Sequence, residues 1–342
     1  MKTSFAKVAG GLALLTVSSV AMASVVDTAH NLGASNQTGG NFNNVTTEIC
    51  VFCHTPHGGD QSTFAPIWNR ATPTPPSYQR FSSLGRLTFD AAEAPIGSVS
   101  AACLSCHDGT QAMDAVINSP GSNTTSGWAG PATAWSEVSS TGAMADLAAA
   151  DNAWNGVYTS SGGTRGDMIY LGTDLRNDHP ISMQYGGGGI SSAATNGATT
   201  DPDFAQAIGQ PRAGGGLVTA GLPGGLYTST GSTFSGNPSN AAVGNTVGNG
   251  SNNNQVANGS GTGAIAYTTS GGSPRWYVET NAGGYNSKDF PLYTRTDVTG
   301  SATAQPTVEC GTCHDPHSGN STFLRLVGGN RGSQVCLTCH AK

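Results

Sequence analysis

The sequence has few aliphatic residues and few charged ones. Leu, Ile, Val and Phe together number 56 of 342 residues, about 16%, and chains below about 20% bury little apolar surface against the entropy cost of folding. Charged residues make up only 10%, so the composition is not that of a highly charged disordered chain. Because glycine contributes 49 residues, we expect a source of buried apolar material other than side chains, such as a large cofactor.

Positive charge is also scarce. The chain has 14 Lys and Arg against 20 Asp and Glu, for a net charge of −6. It has no cluster of basic residues that could follow a phosphate backbone, which argues against nucleic acid as a partner. Sustained heptads and a second long apolar run are absent as well, which excludes a coiled coil and a protein that crosses a membrane several times.

The one apolar run lies at the N-terminus and is typical of an export signal. Lys2 and Lys7 precede a mostly apolar stretch over residues 8–20. After it, Ala21-Met22-Ala23 matches a cleavage site of small residues. The alternative is a membrane anchor, but the stretch is shorter than the roughly 20 apolar residues of a spanning helix. We expect residues 1–23 to be removed and no membrane span to remain. The mature protein is then secreted, extracellular or on the cell surface, with the periplasm as the alternative.

All eight cysteines lie in four copies of one motif, Cys-x-x-Cys-His. This spacing is the attachment signature of c-type haem. The two thiols bond to the vinyl groups on one porphyrin edge, and the adjacent histidine ligates the iron from the proximal side. Four copies with no cysteine left over predict four covalent c-type haems. The cofactor-binding cysteines are Cys50 and Cys53, Cys103 and Cys106, Cys310 and Cys313, and Cys336 and Cys339.

Three other uses of paired cysteines fit this pattern less well. Disulfides suit an exported protein, but cysteines three positions apart close only a tiny loop and need no histidine after them. A zinc site combines one such pair with a second, distant pair of ligands, whereas here each pair has its own histidine. A thioredoxin-like redox site uses one motif in a βαβ unit, not four among loops.

The number of histidines equals the number of axial positions on four irons. The chain has eight histidines. The proximal ligands that the motifs predict are His54, His107, His314 and His340. The predicted distal ligands are the remaining four, His30, His57, His179 and His317. Methionine is an alternative distal ligand that raises the potential of a haem, and Met113, Met144, Met168 and Met183 remain after cleavage.

The ligands form an internal repeat, H … C-x-x-C-H-x-P-H … C-L-[ST]-C-H, which occurs twice. His57 and His317 each follow a proximal histidine too closely to reach the other face of the same haem, so each serves another iron or none. The intervening proline directs the second histidine away from the first. The simplest scheme gives His57 to the haem of motif two and His317 to that of motif four. His30 and His179 are then left for motifs one and three.

The fold is predicted to be mostly irregular, with short α-helices and a few short strands, organised around a chain of four c-type haems. Two cysteines and a histidine at i, i+3 and i+4 share one helical face, so we expect a short helix at each motif. Composition favours further helices over residues 91–102 and 143–153.

Composition also divides the mature chain into three parts. The predicted units are a first dihaem unit over 24–119, an insertion over 120–305 and a second dihaem unit over 306–342. The insertion is rich in Gly, Ser, Thr and Asn, which is typical of a disordered linker. Scattered aromatic residues such as Trp276 instead favour loops and short strands packed on the haem core, and residues 244–263 are the part expected to be mobile.

These motifs resemble those of the multihaem c-type cytochromes with doubled Cys-x-x-Cys-His motifs, and among them the tetrahaem filament cytochromes of the OmcE type. The resemblance implies bis-His haems in a continuous chain and polymerisation into extracellular filaments, in which one axial histidine comes from the adjoining subunit. Most of the insertion lies outside the resemblance. The segments that carry it are His30, CVFCHTPHG at 50–58, APIWN at 65–69, CLSCHDG at 103–109, NDHP at 177–180, CGTCHDPH at 310–317, FLR at 323–325 and CLTCH at 336–340.

Three functional hypotheses follow. The first is a non-enzymatic electron conduit, the subunit of a homopolymer that exchanges electrons with other redox proteins or extracellular acceptors. His30 is the first candidate to cross between subunits because terminal arms are loosely held, and His179 is the next. The second is a soluble periplasmic shuttle, although Lys288 and Lys342 are the only lysines that remain after cleavage for charge-steered docking to an acidic partner. The third is a multihaem reductase, which needs an iron with an exchangeable position.

Overall fold

Regular secondary structure is sparse, in agreement with the mostly irregular fold predicted. The computed structural model describes residues 25–33, 35, 46–72, 78–85, 90–108, 110–111, 116–119, 171–190, 199–201, 203–206, 265–268, 275–280, 285–326, 330 and 333–340. Among these are three α-helices, α1 over Ser98–His107, α2 over Cys310–Cys313 and α3 over Gln334–Cys339. Single 3-10 turns occur at Val25–Asp27, Cys50–Phe52, Phe81–Leu84, Tyr185–Gly187 and Ser321–Phe323.

Five short strands form one antiparallel sheet. They are β1 (Met183–Gln184), β2 (Ile265–Thr268), β3 (Arg275–Val278), β4 (Phe290–Arg295) and β5 (Gln305–Val308), in the order β1-β5-β4-β3-β2. Strand β5 crosses the predicted boundary between residues 305 and 306 and leads directly to Cys310. The sheet therefore holds the start of motif three in place.

A side-chain core covers part of this sheet. Trp276 is 1% exposed and Phe290 is fully buried. They pack with the other buried members of the cluster, which are Tyr185, Ile190, Ala205, Ile265, Val278, Leu292 and Leu326. Cys313 and Cys339 lie against the same cluster. The predicted haem core is thus accompanied by a conventional apolar core behind motifs three and four.

Each motif lies on or beside a helical turn, as the cysteine spacing predicts. Helix α1 contains all of motif two, α2 and α3 contain the cysteines of motifs three and four, and Cys50 begins a 3-10 turn. The predicted helix over 91–102 is wrong for its first part. Helix α1 begins only at Ser98, because Pro95 disfavours helix at the residue before it and Gly97 has extended backbone at the N-cap.

Two other predictions on local structure, the helix over 143–153 and the mobility of 244–263, concern segments outside the described residues. In the part of the chain that is described, no helix has the length and apolar character to cross a membrane.

Candidate haem-attachment sites

All eight motif cysteines are free thiols, as covalent attachment of haem requires. Cys50 and Cys336 are exposed, and the other six are partly buried. Within the described residues, no group of three or more His, Cys, Asp or Glu side chains is arranged to hold a metal ion.

Four of the histidines have one ring nitrogen already occupied by a backbone carbonyl. A carbonyl can only accept a hydrogen bond, so Nδ1 carries the proton and donates, and Nε2 remains as the nitrogen that binds metal. This arrangement is usual for histidines that ligate metals, because it fixes both tautomer and ring orientation. The pairs are His54 with Pro66 O at 2.9 Å, His314 with Thr322 O at 2.8 Å, His179 with Pro180 O at 3.0 Å and His30 with Pro316 O at 3.3 Å.

Motifs one and three are each followed by the same backbone structure, which we call the return segment (residues 66–69 and 322–325). In both, the chain turns back and bridges the proximal histidine in antiparallel fashion. The central residue, Ile67 or Phe323, has positive φ in each, 48° and 57°. The matching backbone bonds are Thr55 N to Ile67 O (2.9 Å) and Asn69 N to Cys53 O (2.9 Å), and Asp315 N to Phe323 O (2.8 Å) and Arg325 N to Cys313 O (2.9 Å).

The last residue of each return segment also holds the motif through its side chain. Asn69 Nδ2 donates to Val51 O at 2.6 Å, and Arg325 Nε donates to Gly311 O at 3.0 Å. Val51 and Gly311 are the first residues between the two cysteines of their motifs. Two different side chains at one repeat position thus perform the same task, which a comparison of residue types alone would not find.

Motif four uses a different segment for the same purpose. Ala205 N donates to Cys339 O at 2.8 Å, and Phe204 bridges His340. The Phe204 ring lies 4.5 Å from the His340 ring, centre to centre. Residues of the insertion therefore support the proximal histidine of the second dihaem unit.

The structure places the rings of His54 and His317 near each other. Their ring centres are 6.1 Å apart and their planes differ by 12°. With a metal–nitrogen bond of about 2.0 Å and roughly 1.15 Å from ring centre to Nε2, two imidazoles on opposite sides of one iron have centres about 6.3 Å apart. The spacing between the ring centres therefore matches that of two axial ligands of one iron. Asp315 Oδ1 lies 3.5 Å from His317 Nδ1 and raises the pKa of His317.

His30 and His107 form a second pair with the same spacing. Their ring centres are 6.3 Å apart, and the planes are tilted by 58°. Burial, together with nearby His107, lowers the pKa of His30 to about 4, so its ring is neutral at neutral pH, which is the form that binds iron. His30 lies against Pro316 and Phe323 of its own chain. The crossing of His30 between subunits stays a prediction.

In the structure, the His317 ring lies near the proximal histidine of motif one, and the His30 ring lies near that of motif two. The sequence-derived scheme gave His317 to motif four and His30 to motif one, and that assignment of ligands stays a prediction. The scheme assumed that distal ligands come from neighbouring motifs, whereas the turn after motif three packs against the first unit. The described residues include all eight histidines, and among them no histidine ring lies opposite His57 or His179.

Motifs two and three meet at a thiol–thiol contact. The Cys103 thiol donates a hydrogen bond to Cys310 Sγ, which raises the pKa of Cys103 and lowers that of Cys310. The contact is held by Ser100 of α1, whose hydroxyl accepts from Cys310 N at 3.0 Å and donates to Glu309 at 2.5 Å. Motifs two and three therefore lie side by side.

Glu309 is a fully buried carboxylate that sequence reasoning missed. It also accepts from Ser182 Oγ at 3.1 Å and from Arg295 at 3.0 Å. Burial raises its pKa, and the bonds from Ser100 and the charge of Arg295 oppose that effect. The sequence did contain a local signal for the position of Glu309. Glu309 and Thr312 are three residues apart and form a capping box at the start of α2.

The comparisons with known proteins agree with the motif chemistry. Residues 304–342 match a family model described as "Doubled CXXCH motif". None of the curated proteins compared matches the chain. The matched segment contains motifs three and four, both of which bear the residues for covalent attachment of c-type haem. The doubled motif thus supports a multihaem c-type cytochrome with a role in electron transfer.

Proposed function

We propose that this protein is a tetrahaem c-type cytochrome that conducts electrons outside the cytoplasm and is not an enzyme. The observation that carries the proposal is the spacing of two histidine pairs, 6.1 Å for His54 and His317 and 6.3 Å for His30 and His107. An iron with two histidine ligands has no open position for a substrate, so its chemistry is the exchange of one electron. Such sites favour conduction over catalysis.

The positions of the cysteines support a continuous path. Cys53 and Cys106 pack against the same small apolar cluster. Cys310 N donates to Ser100 of the helix that carries motif two. Cys313 and Cys339 pack against the same core cluster. Each motif is therefore next to the following one. Cys50 and Cys336, in motifs one and four, are the exposed cysteines, so the haems of these motifs are the proposed points where electrons enter and leave.

We further propose that the protein is the subunit of a secreted filament, as the OmcE-type resemblance implies. His57 and His179 have no facing histidine among the described residues, so either is a candidate to ligate an iron of a neighbouring subunit. A ligand donated head to tail without ring closure produces an open filament. The low content of charged residues, 10%, is compatible with close contact between copies.

The proposal is tested on the purified secreted protein. We expect four haems per chain from a pyridine haemochrome assay, low-spin spectra in the oxidised assembled protein, and filaments by negative-stain electron microscopy. His57→Ala and His179→Ala are compared, and the crossing ligand is the one whose loss releases protomers with one high-spin haem. Monomers with four low-spin haems would instead indicate a soluble periplasmic shuttle. A high-spin haem in the assembled wild-type protein would indicate a multihaem reductase.

A further inference from the structure

The imidazole of His30 lies flat on an aromatic ring from the far end of the chain. The ring centres of His30 and Phe323 are 4.0 Å apart, and the planes differ by 10°. Nδ1 of His30 is hydrogen-bonded to Pro316 O. The histidine that faces His107 of the first dihaem unit is thus held on two sides by residues of the second unit.

Phe323 is presented by a strained stretch of backbone. Thr322 and Phe323 both have positive φ, 54° and 57°, a conformation that non-glycine residues adopt at a cost in free energy and mainly at functional sites. Motif three maintains it, because the Thr322 carbonyl accepts from the His314 ring and the Phe323 carbonyl accepts from Asp315 N. The same turn therefore supports a proximal ligand through its backbone and touches a distal ligand through its side chain.

We propose that Phe323 is a positioning residue, whose ring fixes the place and the plane of the His30 imidazole opposite His107. The inference rests on the proposed function, since it takes His30 and His107 as axial ligands of one iron. It adds that the haem of motif two depends on a side chain next to motif three. The 58° tilt between the two imidazoles is then set by Phe323 and not by the iron.

Ile67 provides a matched control within the same chain. It occupies the equivalent place in the return segment of motif one, with positive φ and the same backbone bond, Thr55 N to Ile67 O. Its side chain is 52% exposed, whereas Phe323 is stacked on a histidine. Ile67→Ala therefore removes an apolar side chain from the same backbone setting without removing an aromatic contact to a ligand.

The experiment uses the full-length holoprotein with Phe323→Ala, Phe323→Leu, Phe323→Tyr and Ile67→Ala. The EPR spectrum of a low-spin ferric haem with two imidazoles depends on the angle between their planes. We expect Phe323→Ala to alter the signal of the tilted pair while the signal of the nearly parallel His54–His317 pair persists. Carbon monoxide binds reduced haem only where a distal ligand has dissociated, so one haem should bind it about tenfold faster, the factor expected from loss of one aromatic stacking contact.

The variants separate positioning from a general loss of structure. Phe323→Leu keeps an apolar side chain but has no flat face, so it should change the EPR signal as Phe323→Ala does and serves as the test if Phe323→Ala does not fold. Phe323→Tyr keeps the ring and should restore the wild-type spectrum. Unchanged spectra and carbon monoxide binding in the Leu variant, or equal changes in Ile67→Ala, overturn the role of Phe323.

His30→Ala distinguishes this inference from the proposed function. If His30→Ala leaves every haem low-spin, then His30 is not an axial ligand and the assignment of the iron site itself fails. If His30→Ala produces one high-spin haem but the Phe323 variants behave as wild type, only the positioning role fails.

Discussion

His54 and His317 come from the two dihaem units, yet their rings face each other 6.1 Å apart and nearly parallel. His54 is fixed by Pro66 O, and His317 is oriented by Asp315. In the proposed function, the iron of motif one takes its proximal ligand from the first predicted unit and its distal ligand from the second. The two units would then not be independent as haem proteins.

The first prediction concerns this pair. His317→Met should convert the haem of motif one to Met/His ligation and raise its potential by about 0.1 V or more, within the roughly 0.8 V range that axial ligands cover. Redox titration followed by absorption measures the change. The matched control is His57→Met, at the same repeat position, which should leave the haem of motif one unaltered.

The affected haem is identified by removing it. In a Cys50→Ser, Cys53→Ser background, which lacks the haem of motif one, His317→Met should have no further effect on the remaining potentials. A persistent shift in that background would assign His317 to another iron.

The second prediction concerns the buried carboxylate beside Cys310. Glu309→Ala leaves the Arg295 guanidinium, which is 8% exposed, without its buried partner. Loss of one partner of a buried ion pair costs about 3 kcal/mol in free energy of unfolding, measured by chemical denaturation of the holoprotein. Asp297→Ala is the control, because that carboxylate also pairs with Arg295 but is 50% exposed and should cost less than about 1 kcal/mol. Equal losses of free energy of unfolding in the two variants would show that burial of the carboxylate does not determine the cost.

The third prediction concerns the close approach of Gly59 to the return segment of motif one. A Cβ at this position would lie 2.7 Å from Ile67 C and 2.8 Å from Trp68 O, so Gly59→Ala must displace backbone that bridges His54. We expect a loss of about 1–3 kcal/mol in free energy of unfolding, as for other overpacked sites, and a shifted potential for the haem of motif one. Gly85→Ala has no atom within 4 Å of the new Cβ and should leave all four potentials unchanged.

The fourth prediction concerns acid stability. Desolvation opposes ionisation of Asp60, but four hydrogen bonds from Ser62 and Thr72 outweigh it and lower the pKa to about 2. A folded-state pKa below the unfolded value of about 3.9 stabilises the fold above that value, and this stabilisation is lost as the pH falls towards 2. The wild type should therefore exceed Asp60→Asn in free energy of unfolding by a constant amount above about pH 5, under about 1 kcal/mol at this partly exposed site. The difference should narrow below pH 4, and a difference independent of pH would contradict the prediction.

The helical turns at the motifs were predictable because they depend on local spacing. Cys103, Cys106 and His107 lie on one helix since their spacing places them on one face, and the prolines after His54 and His314 mark the repeated turn. The proximity of His317 to His54 was not predictable in this way. His317 reaches His54 through tertiary packing, and no local pattern reports which motif the turn after motif three will contact.

The antiparallel sheet was predicted only in part, because its strand pairing also depends on distant residues. Trp276 was identified as an ordered anchor, and it is buried in the core. The strands around it are short and their register depends on partners far along the chain, such as Met183 with Val308. Glu309 and Ser100 likewise meet across more than 200 residues, so their buried contact could be found only in the folded structure.

The two return segments differ in the length of the loop that leads to them, which is four residues longer after His54 than after His314. Both loops are nevertheless followed by a residue with left-handed backbone, Ile67 or Phe323, and by the same pair of backbone hydrogen bonds. Closing a loop of 13 residues instead of nine costs only about 0.3 kcal/mol in chain entropy. The loop between Ser318 and Asn320 is therefore a suitable place to insert a short peptide tag or a labelling site, because the ligands on either side are fixed by contacts that do not depend on its length.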